Sequence, residues 1–385
     1  MDNCDTSSVV AWLMDGARSA LTSESVLEEL CLRLCNCGVP LWQVDVYVRT
    51  LHPEVVGRRF RWKQGNEVSV HLTTFEPAGS RKSLIEHVCA TGVAIRRQHP
   101  EGDPEEEFPR LKELWADGVT DLLVSPLVFT TGSVHVAVWT TKRTGGFRDE
   151  QITGLESLMD PLARVAEVRA LQRTATNLLD TYVGNRAGQR ILAGQIRRGH
   201  AESIHAAIWL SDMRGFTSLS DRLPPQVMID ILNRYFDCQV PSILAHGGEV
   251  LKFMGDGLLA MFPIENASEE KMMCADALAA ALEAREQISE LRSTDSDPIR
   301  FGLALHVGDV LYGNIGGGNR LDFTCIGPAV NLAARLEKIA AEAGRTIVTS
   351  STFAMHFDSE LTALGEVAVR GFGAPQLVFG LNDET

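Results

Sequence analysis

The sequence predicts an α+β protein of two domains joined by a helical linker. Apolar strand-like runs alternate with stretches of helical periodicity along both halves of the chain, with glycine or proline between them. Near the middle, Leu158, Leu162, Val165, Val168, Leu171, Ala175, Leu178 and Tyr182 recur at intervals of three and four, the seam of a short parallel two-helix coil. The 385 residues, 45% of them hydrophobic, suffice for two cores rather than one.

Residues 1–168 form the first unit. A helix runs to about Cys37, followed by the strand patterns QVDVYVRTL and EVSVHLTT and the helix SLIEHVCATG. An acidic loop, PEGDPEEEFPR, precedes the strands LLVSPLVF and SVHVAVWTT and the helical stretch opening at FRDEQ. Residues 169–202 are the linker, in which Gly184, Gly188, Gly194 and Gly199 end or bend the coil helix. Residues 203–385 are the second unit. They read as a strand from Ala206, a helix over 225–246 opened by Pro224 and Pro225, and a hairpin around Gly255–Gly257. A helix over 268–291, strands over 300–315, and a strand that turns through Gly327 and Pro328 into another helix follow.

Composition excludes several function classes. A formal net charge of −14 disfavours nucleic acid as a partner. No run approaches twenty apolar residues, and the start MDNCDTSSVVAWLMDG lacks the basic flank of a signal peptide, so a cytoplasmic protein without a membrane span is expected. Eight scattered cysteines fit reduced thiols rather than a disulfide framework. Cys31, Cys35 and Cys37 cluster on the predicted helix, but with no histidine or fourth cysteine nearby they read as packing. Arg58, Arg59, Arg61 and Lys63 read as a solvated strand face.

Two carboxylates carry the chemistry. Asp212 in AIWLSDMRGFTSLS and Asp256 in EVLKFMGDGLLAMF each end an apolar run near a glycine, where backbone can approach a phosphate. Hard oxygens at two such points suit Mg2+, which leaves its other positions to water and phosphate. Taken singly, Asp212 also reads as a helix cap and Asp256 as the acidic member of a hairpin turn. Farther on, Asn331 and Arg335 lie one turn apart on one helix face, a clamp for a sugar and a phosphoryl group.

The ordered motifs IWLSDMRGFTSLS, HGGEVLKFMGDG and FTCIGPAVNLAARLE resemble the catalytic domain of class III nucleotide cyclases over about the last 185 residues. The resemblance implies a ferredoxin-like fold and a homodimer in which each chain lends half of each site. It implies adenylate cyclase activity, converting ATP to 3′,5′-cyclic AMP and pyrophosphate, with two Mg2+ or Mn2+ ions per site. Asp212, Asp256 and the Met213 carbonyl would be metal ligands, and Lys252 and Thr324 would read the purine. Asn331 would orient the ribose and Arg335 would hold the α-phosphate. Guanylyl-type members resemble this pattern with Glu and Cys at the base-reading pair. Counting back from Gly327 puts that position on Thr324, with Cys325 on the opposite face of the strand. ATP is therefore expected over GTP, with a guanylate cyclase and a catalytically weak nucleotide-binding regulator as alternatives.

This chain departs from the family pattern twice. Pro328 stands where many relatives carry an acidic residue, and Phe372 where a triphosphate-binding lysine is expected. Arg370, Arg320 and Arg214 are candidates to compensate, and a lowered ATP affinity is expected. The first unit resembles a GAF-type sensory domain in its VSPLVF strand, SVHVAVW strand and GFRDEQ helix start. That resemblance implies dimerisation or a small-molecule ligand, and control of the catalytic halves through the linker.

Overall fold

In the computed structural model the described residues are 5–49, 55–74, 84–99, 110–294, 299–318, 320–357, 361–369 and 371–381. The chain divides into two compact units, Met1–Leu178 and Leu179–Thr385. Among the described residues no helix is long and apolar enough to cross a membrane.

The first unit opens with helices α1 (Ser7–Met14) and α2 (Ser23–Asn36), the latter capped by the Thr22 side chain on the Ser25 amide. Strands β1 (Gln43–Arg49), β2 (Val55–Lys63) and β3 (Ser69–Thr74) follow, then α3 (Leu84–Thr91), β4 (Ile95–Gln98) and α4 (Arg110–Ala116). Strands β5 (Asp121–Val128) and β6 (Val134–Thr141) precede α5 (Asp149–Ser157) and α6 (Met159–Val183). The strands form an antiparallel sheet in the order β3-β2-β1-β6-β5-β4. Alternation sorts its side chains into two cores. Val44, Val46, Phe60, Trp62 and Trp139 pack with α1, α2, α5 and α6, while Leu122, Val124, Val136 and Val138 pack with Leu84, Val88 and Leu111.

Two expectations change here. The basic residues of β2 are not one solvated face, because strand alternation sends Arg58 to the side opposite Arg59, Arg61 and Lys63 and cross-strand partners take up the rest. Arg61 donates to the buried Asp45 at 2.7 Å, and the Nε atoms of Arg58 and Arg59 are buried. The expected coil seam also divides: Leu158, Leu162 and Val165 are buried in the first unit's core, whereas Val168, Leu171 and Tyr182 are 54%, 62% and 77% exposed. Cys31 is fully buried in that core, where burial pushes its thiol well up, and Cys35 and Cys37 pack against it.

The second unit continues with α7 (Asn185–Leu192), β7 (Ala201–Met213), α8 (Phe216–Arg222), α9 (Pro225–Asp237) and α10 (Val240–Ala245). The hairpin β8 (Glu249–Met254) and β9 (Gly257–Ile264) leads to α11 (Glu270–Thr294), β10 (Phe301–Gly317) and β11 (Arg320–Ile326). Last come α12 (Pro328–Glu342), β12 (Ile347–Ser350), α13 (Ser351–Ala354), β13 (Leu361–Val367) and β14 (Gln376–Leu381). The sheet order is β13-β14-β12-β10-β7-β9-β8, with β11 paired to β10. The single helix expected over 225–246 is two, because Pro241 in the first turn of α10 cannot donate the bond a continuous helix needs. Gly184, at φ 86°, ends α6. Val183, Ala187 and Ile191 then pack into the second unit's core.

Strand β7 is buried on both faces. Ala207, Trp209 and Met213 join the core that includes Tyr235, Ile243 and the α11 alanines, while Ala206, Ile208 and Leu210 join the one that includes Ala329 and Ala333 of α12. The last strand residues therefore point toward different helices according to parity.

Candidate active site

Asp212 continues the even-numbered set of β7, toward α12. Beside it the β8–β9 hairpin closes: Met254 pairs with Gly257, so the two-residue loop is Gly255–Asp256. Gly255 takes φ 70° at the first loop position, as a tight hairpin turn demands. A Cβ on Gly257 would lie 3.3 Å from Asp212 Oδ1, so the glycine lets the hairpin close against that carboxyl. The two aspartate carboxyls are close neighbours. Burial first, and the neighbouring Asp256 second, push the Asp212 carboxyl from 3.8 up to about 6.

Gly302 of β10 pairs with Asp212 in register, and behind it lies a carboxylate that sequence reasoning did not place in the site. A Cβ at Gly302 would sit 2.6 Å from Glu337 Oε1 and 3.3 Å from Arg214 Nη2. Burial, then the charge of Asp212, push Glu337 up to about 7, opposed by Arg214. The signal was present in the sequence. Glu337 falls within the apolar stripe Ala329, Leu332, Ala333, Leu336 and Ala340 of α12, where a charged residue needs a reason.

The base-reading candidates form a second group. Lys252 Nζ contacts Asp322 Oδ2 at 3.0 Å, an ion pair between β8 and β11 that sequence reasoning did not foresee. Thr324 lies two residues beyond Asp322 on β11 and is 4% exposed, yet its Oγ1 is buried with no hydrogen-bond partner. Cys325 alternates to the other face, in the core beside Phe323 and Tyr312, where burial pushes its thiol up to about 12. The buried Thr324 hydroxyl therefore lacks a protein partner, on the same strand as the Asp322 that meets Lys252.

Asn331 and Arg335 share α12, with Asn331 exposed and Arg335 half-buried. The helix starts at Gly327, whose φ of 146° a side chain rarely adopts. Phe372 lies beneath the Arg335 guanidinium, 5.6 Å from ring centroid to Cζ, and Gly371 at φ 87° leaves no side chain between them. A Cβ on Gly371 would come within 3.0 Å of Arg335 Nη1. The aromatic residue is thus an arginine platform, itself packed on the core around Leu332 and Leu336. Of the phosphate candidates, Arg214 donates to the Arg345 carbonyl and lies beside Glu337. Arg320 is exposed at the start of β11, paired with Gly317, and Arg370 lies outside the described residues.

The donor set at the hairpin fits a divalent cation. Two carboxyls pressed together are relieved by positive charge between them, and the Met213 amide already favours the ionised Asp212. Among the described residues no three acidic, histidine or cysteine side chains converge on one point, so remaining positions would fall to water and substrate oxygens.

The family described as adenylate and guanylate cyclase catalytic domain matches residues 200–382. An adenylate cyclase of Anabaena cylindrica is 32% identical over 165 residues, 41% of this chain and 32% of that protein. The terminal-differentiation-specific adenylate cyclase of Dictyostelium discoideum is 32% identical over 157 residues, 40% of this chain and 7% of that protein. The crystal structure of an adenylyl cyclase from P. aeruginosa is 27% identical, covering 48% of this chain and 97% of that one with a TM-score of 0.44. The chain spans about a third or less of the length of these two curated relatives. Residues 200–382 are thus similar to the catalytic domain of adenylate and guanylate cyclases.

Proposed function

We propose that the protein is an adenylate cyclase, a phosphorus–oxygen lyase that converts ATP to 3′,5′-cyclic AMP and pyrophosphate as a cytoplasmic homodimer. The observation that carries the proposal is the close approach of Asp212, at the end of β7, and Asp256, in the β8–β9 turn, two carboxyls held together at a cost that a bound cation would offset. The cyclase domain match and the adenylate cyclases among the relatives support it.

The reaction is an in-line attack of the ribose 3′-oxygen on the α-phosphorus with loss of pyrophosphate, so the protein's work is positioning and charge neutralisation. Two divalent cations, Mg2+ or Mn2+, held by Asp212, Asp256 and the Met213 carbonyl would supply acidification of the 3′-hydroxyl and neutralisation of the triphosphate. Lys252 donates to an adenine ring nitrogen, exchanging Asp322 for the base. The Thr324 hydroxyl, otherwise unpartnered, accepts from the exocyclic amine. Asn331 orients the ribose. Arg335, set by Phe372, meets the charge that develops on the α-phosphate. Arg214 and Arg320 are left as minor phosphate contacts, and Arg370 keeps that role by its position in the sequence.

Exposed Phe253, Met254, Leu311 and Ile326 flank the Lys252–Thr324 group and suit a symmetric contact between two copies. The first unit is proposed as a GAF-like sensory or dimerisation domain acting through the helix that leaves it. The ion pair on Lys252 and the absent lysine at Phe372 favour one second reading, a catalytically weak nucleotide-binding regulator. Product analysis decides: purified protein is incubated with ATP or GTP and Mg2+ or Mn2+, with Asp256→Ala as control. Cyclic AMP from ATP, lost in the control, is expected. Cyclic GMP formed from GTP at an equal rate would overturn the base assignment, and no product from either would leave the regulator.

A further inference from the structure

We infer that the first unit binds a short-chain organic carboxylate in a cleft between α2, the β1–β2 sheet face and the early part of α6. The cleft has a volume of about 50 Å³ and apolar walls from Leu27, Val46, Phe60, Leu162 and Ala166. A water-sized group takes about 10–15 Å³ on this measure, so the space holds a tail of about three to five carbon groups.

Three guanidinium groups, Arg58, Arg169 and Arg173, line the same cleft. Arg173 donates to Ser23 Oγ at 3.3 Å and lies 4.0 Å from Glu24, while Arg169 donates to the Ala20 carbonyl at 2.7 Å. Arg58 Nε is buried with no hydrogen-bond partner. Burial, and then the positive charge of Arg173, disfavour the Arg58 cation, against which Glu24 offers partial relief. Arg58 follows from strand parity. It alternates with Arg59 and Arg61, which turn to Tyr47 and Asp45, and so shares the sheet face of Phe60, with which it lines the cleft.

An apolar slot bordered by several cations with a single carboxylate in contact is complementary to a molecule with a hydrocarbon tail and one anionic head. A guanidinium takes a carboxylate in two parallel hydrogen bonds, which would satisfy the orphaned Nε. A phosphate ion shares the head chemistry but leaves the slot empty. An alcohol fills the slot but leaves the guanidinium groups opposed.

Titration calorimetry on the full chain with hexanoate, hexan-1-ol and inorganic phosphate separates these cases. Saturable hexanoate binding is expected, with hexanol and phosphate each weaker by about tenfold or more. Arg58→Met, which keeps the stem and removes the charge, should weaken hexanoate by about tenfold and leave hexanol unchanged. Absent hexanoate binding, equal binding of hexanol or phosphate, or an Arg58→Met variant as tight as the parent would each overturn the inference. Should Arg58→Met lose its thermal transition, Ala166→Leu decides, since it fills the slot without touching the charges and must abolish hexanoate binding.

Discussion

Replacing Asp212 by Asn should stabilise the metal-free protein while abolishing turnover. In the folded chain Asp212 is pushed from 3.8 to about 6 by burial and by Asp256, so an ionised Asp212 destabilises the fold relative to a neutral one. At about 1.36 kcal/mol per pH unit this is about 3 kcal/mol as an upper bound. Asp212 is only partly buried, and solvent screening reduces the figure to about 1 kcal/mol. Because the folded-state value exceeds the unfolded one, the stabilisation is complete below about pH 4 and is lost as the pH rises through about 6. Asparagine, which never ionises, escapes that loss. Thermal unfolding in chelator at pH 7.5 should therefore show the second unit of Asp212→Asn melting about 2–4 °C above the parent. The gap should close as the pH falls from 6 toward 4. Saturating Mn2+ should raise the parent and leave the variant unmoved, since only a site that binds is stabilised by its ligand. A variant less stable than the parent at pH 7.5, or an advantage that ignores pH, would refute the reasoning.

Three other substitutions probe separate parts of the chain. Lys252→Glu with Thr324→Cys exchanges donor for acceptor at the base-reading pair, and the ratio of kcat/KM for ATP over GTP should fall by about a hundredfold in a paired substrate assay. Phe372→Lys adds a cation for the triphosphate but removes the platform under Arg335. The ATP KM should drop by about tenfold while kcat falls by a few-fold, about 0.5–1 kcal/mol, and an unchanged KM would deny that this position faces phosphate. Asp121 is fully buried and accepts from Arg96 at 2.7 Å, Gln98 at 3.2 Å and the Phe147 amide at 2.9 Å. Asp121→Ala strands that arginine and should cost the first unit about 3–5 kcal/mol in urea denaturation, with a loss under about 1 kcal/mol counting against it.

Much of the element order was legible because it rests on local signals. Period-two and period-3.6 patterns placed β1, β3, β5 and β6 of the first sheet, and α11 and α12, close to where they form, whereas the short β4 was not read. Where local reading failed, a nonlocal partner or a single proline intervened. Pro241 divides the helix after Asp237, and on β2 alternation and a cross-strand carboxylate make Arg61 the partner of Asp45 and Arg58 part of the wall of a cleft.

Of the candidate site, the sequence alone determined the order of the motifs, the residue types, and the parity that separates Thr324 from Cys325. Those follow from spacing along one strand or one helix. Only the tertiary structure decided what each side chain meets. Asp212 neighbours Asp256 because β7 and the β8–β9 hairpin are adjacent in the sheet, and Glu337 lies behind Gly302, the register partner of Asp212, because that glycine leaves room for its carboxylate. Lys252 finds Asp322, and Arg335 rests on Phe372, across stretches of 70 and 37 residues whose pairing no short window encodes. Charge, burial and packing in a folded chain depend on neighbours in space, and these are set by how the whole sheet assembles.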